Sequence, residues 1–390
     1  MLRNAMCPPA KDGDSELAAR VAALGLEPIA EAAGGTPVYL VGGAVRDLLL
    51  GRERGDVDVA VEGDAIALAR SLGGEVREHE RFGTATVRLG ELDVDLAATR
   101  AEEYARPGAL PEVRPATLAE DLSRRDFTVN AIALPLHAPD RPIDPHGGRV
   151  DLRAGLLRVL HRGSFADDPT RALRAARYAA RFGFRLEPET EAALREADPT
   201  TVSADRIEAE LARIVAEEEW RRALELLEEW GLAEGADLEL IAAVRETLAR
   251  PPWLGTVPPA SAMLIAGGPA CGAYVPSAEP LHAARELAAV GPAPPSRLAE
   301  AARVASPISL VIARALGAGW LDSFIGDWRR VRLEIDGDDL LAAGIEQGPA
   351  VGRGLAAALA AKLDGEISGR EAELETALAA ARDDPQGGAA

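Results

Sequence analysis

Asp56 and Asp58 stand two residues apart in Asp56-Val57-Asp58-Val59, shortly after Val38-Tyr39-Leu40-Val41-Gly42-Gly43-Ala44-Val45-Arg46-Asp47. Along a strand, side chains alternate, so both carboxylates share one face while Val57, Val59 and Val61 occupy the other. The glycine pair reads as a turn where backbone N–H groups can approach phosphate. Hard oxygen donors on a rigid face beside such a turn suit two divalent ions and a nucleoside triphosphate. One ion would lower the pKa of an attacking hydroxyl and the other would neutralise a leaving pyrophosphate. Either half alone reads as a solvated strand face or an ordinary turn; their order and spacing together point to catalysis. Arg46, at the start of the following helix, is placed to contact the triphosphate. A third carboxylate is expected from a neighbouring strand, where Asp93 and Asp95 alternate correctly. Asp95 is preferred because Leu96-Ala97-Ala98-Thr99-Arg100 leads from it directly into a loop.

Two further runs carry chemistry. In Arg124-Arg125-Asp126-Phe127-Thr128-Val129-Asn130 the charged triplet reads either as a surface run or as nucleotide recognition, with Asp126 accepting from ribose hydroxyls and the guanidiniums clamping phosphates. Asp168 and Arg171, three apart in Asp167-Asp168-Pro169-Thr170-Arg171, share a helix face. One carboxylate and one guanidinium match the Watson–Crick edges of cytosine and adenine, which each present an amino donor beside a ring acceptor. Guanine and uracil invert that pattern, and a bidentate pair discriminates by roughly 1–3 kcal/mol. Arg174, Arg177, Arg181 and Arg185 follow Arg171 with no acid between them. At about 100° per residue the five arginines fall within about a third of a helix circumference. For Arg181 and Arg185, pairing with acidic neighbours is an equal alternative to phosphate contact.

The elements that must position these groups are legible as periodicity. Strand signals cover 38–41, 56–61, 84–89 and 92–96, the last two alternating around a Gly90 turn; helix signals cover 44–50 and 64–72. From Asp168, as cap, and Pro169, in the first turn, the period is helical almost throughout. It is carried by Ile207, Leu211 and Ile214, then by Leu224 and Leu227. The Pro- and Gly-rich stretch 250–280 and the break at 291–295 read as loops. The fold class is therefore α+β, a mixed sheet with helices followed by an all-helical part.

Composition narrows the function classes. A chain of 390 residues, 47% hydrophobic and 27% charged, can bury more than one core. Cys7 and Cys271 form no CxxC pair and the five histidines are scattered, which excludes a disulfide scaffold or zinc site and fits a reducing cytoplasm. The first sixteen residues, with Lys11, Asp12, Asp14 and Glu16, do not resemble a signal peptide. The apolar run Ile308 to Trp320 is interrupted by Arg314 and too short for a bilayer, so no membrane partner is expected. A net charge of −20 argues against a nucleic-acid partner overall; the arginine stripe is the local exception.

These motifs, with Asp144-Pro145-His146-Gly147-Gly148-Arg149-Val150-Asp151-Leu152, Arg158, Asp205-Arg206-Ile207-Glu208-Ala209-Glu210-Leu211 and Gly337-Asp338-Asp339-Leu340-Leu341, resemble in order those of the class II tRNA nucleotidyltransferases. That family contains bacterial and eukaryotic CCA-adding enzymes and bacterial poly(A) polymerases. The resemblance implies a flexible N-terminus at 1–21, a nucleotidyltransferase head at 22–143 and a neck with a base-reading template at 144–220. It further implies a body at 221–330, a tail at 331–382 and a disordered end at 383–390. It implies two Mg²⁺ ions on Asp56 and Asp58, with Asp95 catalytic beside them. Nucleotide contacts would come from Gly43, Arg46, Arg124, Arg125, Asp126 and Asn130. Asp168 and Arg171 would act as template for CTP and ATP, with Arg174 and Arg177 beside them. Asp144, Asp151 and Arg158 would form a springy link between head and neck, and body and tail would grip a tRNA acceptor arm. Asp167 departs from the family's usual Glu-Asp-x-x-Arg, and a shorter acid there would orient Arg171 differently.

Family members add CCA, only CC, only A, or poly(A). The segment Arg100 to Leu122 stands where the family has a flexible loop for switching from C to A, with Arg106 and Arg114 available, which disfavours CC addition. The chain ends soon after Arg382-Asp383-Asp384-Pro385 without a basic extension, which disfavours poly(A) synthesis. CCA addition is the expectation, with an A-adding enzyme as the alternative. A small-molecule nucleotidyltransferase leaves the helical half without a role, and an RNA-binding protein with a dead site conflicts with intact Asp56 and Asp58.

Overall fold

The computed structural model describes residues 14–52, 56–79 and 83–383. Cys7, most of the expected flexible N-terminus and all but the first residue of the expected disordered end lie outside them. Two compact units are present, one running to Glu234 and including Ala270–Val275, the other formed by Gly235–Pro269 and the residues from Pro276 onward.

The first unit opens with α1 (Asp14–Ala22) and α2 (Glu27–Ala33), then β1 (Val38–Val41), α3 (Gly43–Leu49), β2 (Val57–Val61) and α4 (Ala65–Leu72). Four strands follow, β3 (Val76–His79), β4 (Thr84–Leu89), β5 (Leu92–Ala98) and β6 (Arg100–Glu103), then β7 (Glu112–Pro115), α5 (Leu118–Ser123) and β8 (Ala133–Pro135). Six of these strands form one sheet in the order β3-β4-β5-β2-β1-β8, while β6 and β7 pair separately. Only β2 and β5 run parallel; the other pairings are antiparallel. All four residues of β1 are buried, as befits an apolar run covered on both faces.

The two faces of the sheet differ. Helix α4 covers β3, β4 and β5 on one side, where the apolar members of the alternation (Val59, Val61, Ala85, Val87, Val94 and Leu96) are buried. On the other side Tyr39, Val41 and Ala60 pack with Leu118 and Leu122 of α5, covering the β1–β8 end. A capping box between Thr117 and Glu120 fixes the start of α5. The same face carries Asp58 and Asp95 farther along the sheet.

Helices then dominate: α6 (Gly148–Ala154), the short β9 (Leu156–Leu157), α7 (Ser164–Asp167), α8 (Thr170–Phe182), β10 (Arg185–Leu186), α9 (Pro188–Leu194), α10 (Ala204–Ala216) and α11 (Trp220–Glu229). Helix α8 buries Ala172, Leu173, Ala175, Ala176, Ala179 and Phe182 and packs on α10 and α11. It ends at Gly183 in the left-handed region (φ 67°), a common helix stop. Arg185 therefore lies in β10, paired with β9, and not on the arginine face expected from the sequence. The helix also starts later than expected: Pro169 is its cap residue, and Asp168 one position earlier reaches the Thr170 N–H with its carboxylate.

Asp144 accepts from the Gly148 and Arg149 backbone N–H groups and so holds the start of α6. Asp151 accepts from the Thr128 hydroxyl and from Arg158, whose second arm meets Glu187 at 3.2 Å. A Cβ at Gly148 would stand 2.1 Å from the Thr128 carbonyl oxygen, so only glycine permits this close approach. These contacts tie residues 144–158 to the segment following Asp126.

The second unit comprises α12 (Leu238–Leu248), α13 (Pro259–Gly267), α14 (Ala278–Ala288), α15 (Pro295–Arg303), α16 (Pro307–Ala315) and α17 (Leu321–Gly326). It closes with α18 (Gly337–Ala342), α19 (Pro349–Leu363) and α20 (Arg370–Arg382), whose core is Ile335, Leu340, Ala358, Ala377 and Ala381. The stretch 250–280, read from composition as a loop, contains α13, which starts on a proline where its missing N–H costs nothing.

Candidate active site

Residues of β1, β2, β4 and β5, of α8 and α10, and of the segment 121–130 line one cleft of about 990 Å³, entirely within the first unit. Its floor is the carboxylate row. Asp58 and Asp95 are direct partners across the parallel β2–β5 pair, so their side chains share a face, and Asp56 precedes β2 at the cleft edge. The Thr86 hydroxyl donates to Asp95 Oδ1 at 2.6 Å and fixes that carboxylate. Asp93 instead turns to Arg88 and Arg77, at 3.3 and 3.6 Å, so geometry distinguishes the two candidates for a third acid.

Burial pushes Asp58 up to about 6, the Arg125 guanidinium works against that rise, and Asp95 and Asp56 add like-charge repulsion. No three His, Cys, Asp or Glu side chains among the described residues converge closely enough to hold a metal as they stand. The donor set nevertheless suits a hard divalent cation, since such an ion would relieve the repulsion that Asp95 and Asp56 exert on Asp58.

Gly42, at the start of α3, adopts φ 70°, and a Cβ there would stand 3.0 Å from an Arg125 guanidinium nitrogen and 3.6 Å from Asp58 Oδ2. The positive φ of the turn therefore favours glycine. Arg46 borders the same cleft. It is buried, donates to Asp47 at 2.8 Å and Asn130 at 2.7 Å, and lies over the rings of Tyr178 and Phe182 of α8, 5.0 and 4.5 Å from their centroids. Its guanidinium joins α3 to α8, and the residue lines the cleft.

Asp126 is equally committed. One oxygen accepts from the Phe127 N–H and from Asn130, the other from Arg174 at 2.8 Å. Burial would raise its pKa, but the Arg174 guanidinium and the Asn130 bond outweigh burial and hold it at about 2. The proximity of Asp126 in turn raises Arg174. Sequence reasoning assigned Asp126 to ribose; in the structure it is the counter-ion that fastens α8 to the segment 126–130.

Asp121 was not anticipated. Buried at 2% exposure, it accepts from Arg124 Nε and a terminal nitrogen (3.0 and 2.7 Å) and from Arg125 (2.8 Å). One carboxylate thus aims both arginines at the cleft. The signal was present as an acid three and four residues before two arginines.

Asp168 and Arg171 border the same cleft. Thr170 N–H, Thr170 hydroxyl and Arg206 all donate to Asp168 Oδ1, at 3.0, 2.6 and 2.8 Å, leaving Oδ2 for another donor. Arg171 donates to the Ser164 hydroxyl at 2.6 Å and the Arg124 carbonyl at 2.7 Å, two of the five N–H groups a guanidinium carries. Asp167 lies on the other side of the same segment. It stands 3.6 Å from His161 and, with His161 and Arg171, lines a smaller neighbouring pocket. Arg177 and Arg181 both meet Glu217, at 3.1 and 3.4 Å, and Arg114 pairs with Glu103 and Glu120.

Comparison with known proteins follows the same lines. Residues 38–158 match the family described as the Poly A polymerase head domain, and 183–237 match "Probable RNA and SrmB- binding site of polymerase A". Over 160 residues the chain is 49% identical to the A-adding tRNA nucleotidyltransferase of Halalkalibacterium halodurans, a match covering 39% of this chain and 38% of that one. It spans 38%, 20% and 19% of the length of three such curated A-adding relatives. Over 364 residues it is 33% identical to the CC-adding tRNA nucleotidyltransferase of Deinococcus radiodurans, covering 88% of this chain and 89% of the relative. A solved apo CCA-adding enzyme aligns with TM-score 0.74 at 30% identity over 94% of this chain and 99% of that one. A CCA-adding enzyme in complex with ATP aligns with TM-score 0.72 at 28% identity, over 94% and 98% of the two chains. A carboxylate row facing an Asp/Arg pair, and likeness over nearly the whole chain, lead to one conclusion: this chain belongs to the tRNA nucleotidyltransferase family.

Proposed function

We propose that the chain completes tRNA 3′ ends, adding C, C and A from CTP and ATP without a nucleic-acid template. The observation that carries this reading is a single cleft holding Asp56, Asp58 and Asp95 on one wall and the Asp168–Arg171 pair on another. Asp168 Oδ2 would accept from the amino group of cytosine or adenine, while the remaining N–H groups of Arg171 would donate to the ring acceptor beside it. Arg124 and Arg125, held by Asp121, would face the phosphates and ribose, and the Gly42–Gly43 turn would let the triphosphate approach the backbone. Asp56, Asp58 and Asp95 would hold Mg²⁺. Bound there, the metal would acidify the attacking 3′ hydroxyl and offset charge on the leaving pyrophosphate. Arg46, Asp126, Asn130 and Arg174 would serve as positioning residues that fix α8 against the catalytic wall, with Asp144, Asp151 and Arg158 fastening the link between them. The second unit would bear on the tRNA body.

A second reading, addition of A alone, draws on the 48–50% identity to A-adding relatives over 160 to 168 residues. The β6–β7 segment, anchored through its Gly108 carbonyl by Arg206, speaks for CCA over CC addition, since Arg206 also holds Asp168.

Arg171→Ala tests the template role. Competition between CTP, ATP, GTP and UTP should show discrimination falling roughly tenfold or more, the loss of one bidentate pair. A slower enzyme of unchanged nucleotide choice would remove Arg171 from base reading. For Asp121→Asn we expect the KM for the nucleotide to rise roughly tenfold with kcat less affected, because the charge-assisted bonds that aim two arginines are weakened. A lower Tm with an unaltered KM would mean that Asp121 serves only the fold.

A further inference from the structure

Arg171 borders two cavities. One is the catalytic cleft; the other, of about 380 Å³, is lined by Arg171 together with Tyr104, Arg124, His161 and Asp167. The bonds that seat the Arg171 guanidinium run to neutral acceptors, the Ser164 hydroxyl and the Arg124 carbonyl. No carboxylate closes on it. The Asp167 carboxylate stands instead 3.6 Å from His161 Nε2, an ion-pair distance too long for a hydrogen bond.

The His161 imidazole feels both charges. Partial burial disfavours its protonated form, Asp167 favours that form and Arg171 opposes it, and the net effect holds His161 below its ordinary 6.5. Such coupling is reciprocal. If the guanidinium disfavours an imidazolium, an imidazolium disfavours the guanidinium in its seat by the same free energy. The other charges facing the smaller pocket are already engaged. Glu102 accepts from Arg124 and Tyr104, and Glu120 accepts from Arg114 and the Thr117 N–H, while Arg114 also meets Glu103. Burial raises the pKa of the Tyr104 hydroxyl and keeps it neutral. A second imidazole, His146, meets the Ser123 hydroxyl of the same pocket at 3.2 Å.

We propose that His161 is a positioning residue that sets nucleotide choice, acting with Asp167 on Arg171. With His161 neutral, Asp167 is left to balance the guanidinium, and Arg171 keeps its seat. With His161 protonated, the carboxylate turns to the imidazole and the seat loosens. Nucleotide choice therefore becomes less strict as pH falls through the His161 transition, below the ordinary 6.5. This inference rests on the base-reading role proposed for Arg171.

The test measures kcat/KM for CTP and for UTP on an acceptor-arm RNA lacking CCA, with the full chain and Mg²⁺, from about pH 7.5 to about pH 5.5, a range that spans an imidazole transition. Asp58, pushed up to about 6, titrates in the same range, but it acts on either nucleotide alike and cancels from the ratio. The wild-type preference for CTP should fall roughly two- to fivefold toward the acid end, the size of a half-exposed ion pair. In His161→Gln the preference should stay level with pH, and in His146→Gln it should fall as in the wild type. Imidazole NMR on the RNA-free protein adds a readout apart from activity. The His161 midpoint should move down in Asp167→Asn, which removes the favouring charge, and up in Arg171→Ala, which removes the opposing one. A wild-type preference that ignores pH, a slope kept in His161→Gln or lost in His146→Gln, or a midpoint indifferent to Arg171→Ala would overturn the assignment even with an active enzyme. A wild type that incorporates nothing would overturn the proposed function, and the effect on nucleotide choice with it.

Discussion

Asp58→Ala is expected to abolish nucleotide incorporation, with a loss of at least about a thousandfold, while tRNA binding changes by less than about twofold. Two arguments set that size. Asp58 is the most enclosed member of the carboxylate row, its pKa pushed up to about 6 by burial with Asp95 and Asp56 adding to the rise. Removing it takes away a donor from any cation that offsets charge at the reacting phosphate, a contribution of several kcal/mol. RNA affinity, by contrast, would come mostly from phosphates neutralised by cationic side chains, a contribution a carboxylate does not make. Single-turnover incorporation beside a filter-binding titration separates the two quantities. Retained activity would remove the metal-holding role from Asp58, and a parallel loss of binding would show that the residue acts on the fold.

Asp126→Asn is expected to lower stability near neutral pH by roughly 2–3 kcal/mol, because it strands a guanidinium in a buried site. In a unit of this size that corresponds to a Tm drop of about 5 °C or more. The pH dependence gives the signature. A carboxyl held at about 2, below its ordinary 3.8, contributes stability in full above the ordinary value and loses it as pH falls through the lower one. The Tm difference between wild type and variant should therefore be constant above about pH 5 and shrink between about pH 4 and pH 2. A difference at about pH 2.5 as large as the one near neutral pH would mean that the contribution of Asp126 is not its charge.

The residues that pattern alone could place are those whose neighbours are local. Alternation and the Gly90 turn located β4 and β5, and the apolar run before Gly42 located β1, so the shared face of Asp58 and Asp95 was legible in the pattern. Strand β3 was not, since Arg77, Glu78 and His79 give an edge strand no apolar alternation. Nor was β8, three residues that become a strand only by pairing with β1 from far along the chain. The same distinction holds in the site. Asp56, Asp58, Asp168 and Arg171 carry their chemistry in local spacing. For Arg46 and Asp126 the protein partners were not legible because they are remote: Asn130 lies 84 positions from Arg46, and Arg174 lies 48 from Asp126. A buried ion pair and a ligand-facing charge look alike until the partner is known. Arg185 failed for the opposite reason, a local signal overlooked, since Gly183 ends the helix before it.

The most direct measurement of the central claim offers the chain three tRNA transcripts, one lacking CCA, one ending in CC and one complete, with Mg²⁺ and each labelled nucleotide in turn. The account predicts that C, C and A are added to the first, A to the second and nothing to the third. Addition of A to the CC-ended transcript alone would replace CCA addition with the A-adding reading. No incorporation into any of them, with ATP and CTP both present, would contradict the account.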